Sequence, residues 1–246
     1  MIVGFCGAGS MAGAMARGIR GEVDLTLFSD SGSGRASGLA SELGGEAVGS
    51  NAELAERADL VILAMKPAAL DSVAAELGGA TEVISLLGAT PLGRVEELFP
   101  KARVTRVMPN LAVEVHRGVL CVAGAPSADA RALLEGLGHV VEVLDAEFDA
   151  ATAVMGCAPA YLALAVEAIA GAGVAAGLDE DLARELVVET TAGTAELLRI
   201  HHPADVRRAV ASPGGSTEAG LGALDSAGAA EAFRAAVAAS LERMRG

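Results

Sequence analysis

The sequence predicts a chain in two parts: an α/β domain built on a doubly wound, mostly parallel sheet, and after it an all-α domain. Three observations predict this. Short runs of Val, Ile, Leu and Phe alternate with longer segments of helical periodicity up to Asp145. The first run leads directly into a glycine cluster and then a helix. Beyond Asp145 the strand signal stops, and helical patterning continues to Arg245. Strands separated by helices of this length require crossovers, and crossovers place successive strands parallel.

In order, residues 2–6 (Ile-Val-Gly-Phe-Cys) form a short apolar run suited to a central strand buried on both faces. Residues 11–20 read as helix, 25–28 as strand, 36–43 as helix and 60–64 as another buried strand. Helix follows at 70–77, strand at 82–87, helix at 92–99 and strand at 103–107. Strands at 119–123 and 140–144, with a helix at 128–137 between them, extend the sheet. From residue 150 onward the pattern is helical, broken by turns at Gly177-Leu178-Asp179 and His202-Pro203 and by a loop at 212–216. The expected domains are therefore 1–147 and 148–246.

Composition narrows the function classes. Of 246 residues, 52% are hydrophobic, enough for a sizeable core. Aromatic residues are only 2%, which argues against an aromatic platform for sugars or single-stranded nucleic acid. The net charge of −14 argues against nucleic-acid and anionic-membrane partners. Cys6, Cys121 and Cys157 show no metal or redox spacing, so a reducing cytoplasm is expected. No basic segment precedes the apolar N-terminal run, so it does not read as a signal peptide. Residues 150–178 carry one charge, Glu167, but are rich in Ala and Gly and contain Pro159. This favours a buried helix at a subunit contact in a soluble protein over a membrane span, with Glu167 largely buried. His201 and His202 are adjacent, point about 100° apart on a helix, and suggest no metal.

Gly7-Ala8-Gly9-Ser10-Met11-Ala12 follows the first strand and opens the first helix. This is the GxGxxA form of the dinucleotide fingerprint of a Rossmann domain. The first glycine permits the turn, the second lets a pyrophosphate approach the backbone, and a small third residue lets helix and strand pack closely. The helix N-terminus then offers free N–H groups to the phosphates. Asp30, at the end of the second strand, suits the ribose hydroxyls of NAD(H). Ser29, Ser31, Ser33 and Arg35 around it suit the 2′-phosphate of NADP(H), or the segment is a solvated loop. Both cofactors stay open.

Two further segments are distinctive. Val210-Ala211-Ser212-Pro213-Gly214-Gly215-Ser216-Thr217-Glu218-Ala219-Gly220-Leu221 closely resembles the signature of the pyrroline-5-carboxylate reductase family. Arg106-Val107-Met108-Pro109-Asn110 resembles that family's MPN segment, and Ala64-Met65-Lys66-Pro67 its A-V-K-P turn. Asn51 stands where the family has a cofactor-contacting asparagine, and Pro159-Ala160-Tyr161 matches the P-A-Y that opens its long dimerisation helix. The resemblance runs from Val3 to about Arg243.

The resemblance implies NAD(P)H-dependent reduction of 1-pyrroline-5-carboxylate to L-proline by a homodimer or a ring of dimers. It places the active site between one subunit's cofactor and the partner's glycine-rich loop. The cofactor residues it implies are Gly7, Ala8, Gly9, Ser10, Met11, Ser29, Asp30, Asn51, Ala64, Met65, Lys66, Pro67 and Asn110. Lys66 would fix the cofactor or the turn. Thr217 is the implied catalytic residue, hydrogen bonding near the imine nitrogen. The residues of the loop have their own logic: the N–H groups of Gly214, Gly215 and Ser216 with the Thr217 hydroxyl form an anion nest for a small imino-acid carboxylate. The same residues also fit a plain turn capped by Thr217. Hydride transfer to a protonated imine needs positioning more than acid–base groups, and no such couple stands out. The chain departs from the family at Ser10 (usually Asn), at Leu111-Ala112 (usually Thr-Pro) and at Met155-Gly156-Cys157-Ala158 (usually Ser-Gly-Ser-Gly). These departures leave open a reductase of another cyclic imine, or a dinucleotide-binding regulatory protein without turnover.

Overall fold

The structure is a computed structural model and describes residues 1–245. Strand β1 (Ile2–Cys6) leads into helix α1 (Ser10–Gly18), and β2 (Leu25–Ser29) into α2 (Arg35–Leu43). A two-residue strand β3 (Glu46–Ala47) and helix α3 (Asn51–Arg57) follow, neither expected from the sequence. The helix is short, and its start is fixed locally. Ser50 accepts a hydrogen bond from the Glu53 N–H, while the Glu53 carboxylate accepts one from the Gly49 N–H. Then come β4 (Leu60–Leu63), α4 (Leu70–Glu76), β5 (Glu82–Ser85), α5 (Leu92–Leu98) and β6 (Arg103–Pro109). β7 (Gly118–Gly124), α6 (Ala128–Leu137) and β8 (Gly138–Glu142) complete the sheet.

The strand order is β3-β2-β1-β4-β5-β6-β7-β8. The chain steps outward from β1 through β2 to β3, then returns to place β4 on the other side of β1. The carboxyl ends of β1 and β4 therefore form the switch point where open α/β sheets bind ligands. All bonded pairs are parallel except β6 with β7, which are antiparallel. The reason is length. Residues 110–117 are too few for a helical crossover, and a 3₁₀ turn at Leu111–Val115 with His116 in the left-handed region (φ 57°) reverses the chain.

The sheet is buried on both faces by alternate residues. Val3, Phe5, Leu60 and Ile62 pack with α1, α2 and α6, and Phe5 stacks on Phe28 at 5.4 Å. Cys6, Val61, Leu63 and Val83 pack with α3, α4 and α5. A smaller core forms where α7 (Phe148–Met155) covers β7, with Phe148 fully buried against Cys121 and Ala123. Arg106 of β6 is 3% exposed. Its guanidinium lies 4.0 Å from the centre of the Phe148 ring and pairs with Asp145 at 2.8 Å and Asp149 at 3.3 Å. The Arg106 Nε–H has no partner among the described residues.

The chain divides into two compact units, one of Met1–Cys157 together with the residues from Leu241 on, the other of Ala158–Ser240. The division falls later than the 147/148 boundary expected from the end of the strand signal, because α7 packs on the sheet through Phe148. The second unit consists of α8 (Ala158–Ala175), α9 (Glu180–Ile200), α10 (Pro203–Val210), α11 (Ser216–Ser226) and the greater part of α12 (Ala229–Arg245). Gly177 (φ 102°) turns the chain after α8, and Asp179 caps α9 by accepting from the Asp181 and Leu182 N–H groups. His202 caps α10 by accepting from the Ala204 N–H, with Pro203 in its first turn. Tyr161 joins α8 to α12 through Ser240 Oγ at 2.6 Å. Among the described residues of this unit only Ala183 is buried. Glu167, expected to be largely buried, is exposed in the single chain, beside a groove lined by Ala163, Val166, Val174 and Val188.

Candidate functional site

The glycine loop sits at the switch point. Gly7 has φ 102°, and a Cβ there would lie 2.6 Å from the backbone of Ala64 and Met65. The absence of a side chain thus lets the β1 turn touch the β4 turn, and Ala64 N donates to Cys6 O at 2.8 Å. This brings Ala64 and Met65 beside Gly7, with Lys66 and Pro67 next along the chain, although the two segments lie far apart in sequence. Gly9 has the opposite surroundings: a Cβ there would meet nothing within 4 Å. Its backbone is extended, it caps α1, and no side chain satisfies the first N–H groups of the helix. Ser10 is exposed, Ala8 and Met11 are half-buried, and Ala12 is buried against the sheet. An open space bounded by free amides is the cradle a pyrophosphate requires, so these residues fit a dinucleotide. Lys66 is exposed at the start of a 3₁₀ turn opened by Pro67.

The residues expected at the adenosine end are held mainly by the protein itself. Asp30 accepts from the N–H groups of Gly32, Ser33 and Ala36 and from the Ser33 hydroxyl. The Ala36 amide is the chief cause that holds its carboxyl below the usual range. A carboxylate with four such partners has little acceptor capacity left for a ribose. Ser29 is 3% exposed and donates to Asn51 Oδ1 at 2.6 Å. Asn51 also accepts from Cys6 Sγ at 3.2 Å and donates to Glu76 at 2.8 Å. Burial pushes the Cys6 thiol up to about 11, which makes it inert. Asn110 is likewise engaged: its Oδ1 accepts from the Val119 N–H at 3.1 Å, and its Nδ2 donates to Met155 O at 3.4 Å. It tethers β7 and the end of α7, and its side chain does not stand free. Leu111, which follows it, is 53% exposed.

In the helical unit, Gly214 is left-handed (φ 71°) and Gly215 caps α11 without a side-chain cap. The expected nest of three open amides is narrower than the sequence suggests. The Gly214 N–H donates to the Glu218 carboxylate at 2.8 Å, and the Gly215 N–H to Ser212 O at 3.0 Å. Ser216 and Thr217 open the helix, so Thr217 is not its cap. Thr217 is half-buried and Ser216 exposed. Glu218 stands three residues after the cap, but with Gly215 as the cap the sequence carries no capping-box signature for it. Glu76 and the Arg106 cluster had no local signal, because their partners lie across the fold.

Family models match in two places. Residues 145–246 match the model described as pyrroline-5-carboxylate reductase dimerisation, and residues 2–87 match NADP oxidoreductase, coenzyme F420-dependent. Pyrroline-5-carboxylate reductase from Synechocystis sp. is 39% identical over 204 residues, which cover 78% of this chain and 76% of that protein. Pyrroline-5-carboxylate reductase 3 from Rattus norvegicus is 35% identical over 256 residues, covering 98% of this chain and 92% of the relative. The crystal structure of 1-pyrroline-5-carboxylate reductase from Streptococcus pyogenes has a TM-score of 0.91 to this fold at 29% identity, covering 100% of this chain and 98% of that one. The Plasmodium falciparum pyrroline carboxylate reductase, a structure with NADP bound, has a TM-score of 0.88 at 27% identity, with 100% and 97% covered. Likeness spans both the sheet unit and the helical unit, each with its own glycine-rich loop in place; the chain belongs to the pyrroline-5-carboxylate reductase family.

Proposed function

We infer that this chain, as a member of that family, catalyses NAD(P)H-dependent reduction of 1-pyrroline-5-carboxylate to L-proline. The observation that carries the assignment of residues is the open cradle at Gly9, lying at the switch point of the sheet and bounded by uncapped amides of α1. Gly7, Ala8, Gly9, Ser10 and Met11 hold the pyrophosphate against the helix N-terminus. Ala64, Met65, Lys66 and Pro67 form the facing wall, with Lys66 adding positive charge. Ser29 and Asn51 act from beneath, by fixing the ends of β1 and β2, while Asn110 tethers β7 and the end of α7. Asp30 is committed to its own loop, while Ser31 and Arg35 beside it are exposed, and this favours the 2′-phosphate of NADPH over the bare ribose of NADH.

A bound reduced nicotinamide supplies the hydride. The residues of the chain then need only to orient the substrate and exclude water, since a protonated imine is already electrophilic at carbon. The Ser216 and Thr217 amides with the Thr217 hydroxyl hold the carboxylate and the ring near its nitrogen. The proton on that nitrogen stays there as the amine forms, so no side chain must donate one. We place this chemistry in a cytoplasmic homodimer, whose formation covers the exposed apolar face of α8.

Steady-state oxidation of NADPH and NADH with 1-pyrroline-5-carboxylate tests the reading. Turnover with NADPH preferred is expected; dinucleotide binding without turnover on any cyclic imine would assign a regulatory role instead. Gly9→Val should leave the unliganded protein folded, because its Cβ meets nothing and its backbone is extended, yet abolish dinucleotide binding in a fluorescence titration. Thr217→Ala should lower kcat/KM for the imino acid about tenfold, the loss of roughly one hydrogen bond, with cofactor affinity kept.

A further inference from the structure

Beneath the glycine loop, Asn51 joins four elements. It is the first residue of α3 and reaches the carboxyl ends of β1 and β2, where Cys6 and Ser29 are each 3% exposed. Its Oδ1 accepts from both of these side chains, and its Nδ2 donates to Glu76 Oε2 at 2.8 Å. A side-chain amide has one accepting and one donating end. With the oxygen turned inward to two donors, the NH₂ group faces outward and meets Glu76. A carboxylate can only accept, so it bonds the NH₂ end and repels the oxygen end. Glu76 therefore anchors the outward end of the amide, whose oxygen Cys6 and Ser29 already hold. The residue is otherwise poorly placed: it is an exposed acid ending α4, where the helix dipole disfavours negative charge.

We propose that Glu76 is a positioning residue for dinucleotide binding. Through Asn51 it holds the ends of β1 and β2, from which the glycine loop and the Asp30 loop depart. The two loops are already coupled there, since the Gly7 N–H donates to Ser29 O at 2.9 Å. The proposal rests on the reading that the dinucleotide occupies the crevice above Gly9.

The test compares Glu76→Ala with Glu76→Gln in the full chain. Glu76→Ala should weaken NADPH binding by about three- to tenfold in a fluorescence titration. The unfolding midpoint of the unliganded protein and kcat at saturating cofactor should not change. Glu76→Gln keeps an accepting oxygen and should restore the parental affinity. The Asn51 side-chain NH₂ resonances of the unliganded protein should move in the alanine variant and return in the glutamine variant. The proposal falls if Glu76→Ala binds NADPH as the parent does, if glutamine fails to rescue, or if kcat drops in step with affinity. Gly9→Val separates the underlying reading: if that variant still binds NADPH, the crevice assignment itself is wrong. If it loses binding while Glu76→Ala binds normally, only the role of Glu76 fails.

Discussion

The sheet unit and the helical unit use similar amounts of apolar sequence in opposite ways. In the first, residues such as Phe5, Phe28, Ile62, Leu63 and Phe148 are wholly buried within one chain. In the second, α8 is among the most apolar helices of the molecule, yet none of its residues is buried, and Leu162, Leu164 and Ile169 are 56%, 65% and 60% exposed. A helix apolar on all sides ordinarily lies inside a core. The stretch Asp145–Ala175 is long and apolar enough to cross a membrane by length and composition, but its first turns already bury Phe148 against the sheet. The difference teaches that the sheet unit completes its own core, whereas the helical unit is patterned for burial against something beyond a single chain. The match to a dimerisation model over this region agrees.

Three substitutions test this contrast. Phe148→Ala has the largest expected effect on stability, about 3–5 kcal/mol, because it empties a fully buried site under the Arg106 guanidinium. Urea unfolding followed by circular dichroism measures it, and a loss near zero would mean that the sheet unit does not depend on this core. Ile169→Glu places a charge on the exposed face of α8. It should cost only a few tenths of a kcal/mol in a lone chain but about 2–3 kcal/mol if a partner covers it, seen by light scattering as a shift from dimer to monomer. Turnover should fall with the dimer while NADPH binding persists; an intact dimer would place the interface elsewhere.

Asp30→Asn is the smallest, at about 1 kcal/mol at neutral pH, the value of a cap. Its native carboxyl titrates below the unfolded value because amides, chiefly that of Ala36, stabilise the anion. The stability it contributes is therefore present above the unfolded pKa, near 3.8, and is lost as pH falls through the lower native value. Parent and variant should converge in acid-unfolding curves at that end of the scale. A gap that persisted there would refute the assignment of Asp30 to its own loop.

Much of the fold was readable because its signals are local. The run 2–6, the glycine cluster and the end of the strand signal after Asp145 each follow from residues adjacent in sequence. β3 leaves no trace in the sequence because two exposed residues carry no apolar period, and α3 leaves none because seven residues are too few to show one. The reversal between β6 and β7 was foreseeable from the short connection, but the strand runs themselves have no direction. Within the site, the glycine positions were legible and their neighbours were not. Gly7 and Gly9 look alike in sequence, yet one presses on the backbone of β4 and the other opens onto empty space.

By itself the sequence determined the period of each element, the place of the turns and the family, since each is encoded in contiguous residues or motifs. Only the tertiary structure decided which polar groups remain free to bind. Asp30, Asn51 and Asn110 are engaged within the protein, as are the amides of Gly214 and Gly215. A hydrogen bond needs its donor and acceptor within about 3 Å. For the long-range bonds among these, the crossovers of the sheet bring residues such as Asn51 and Glu76 to that distance, and no local pattern records it.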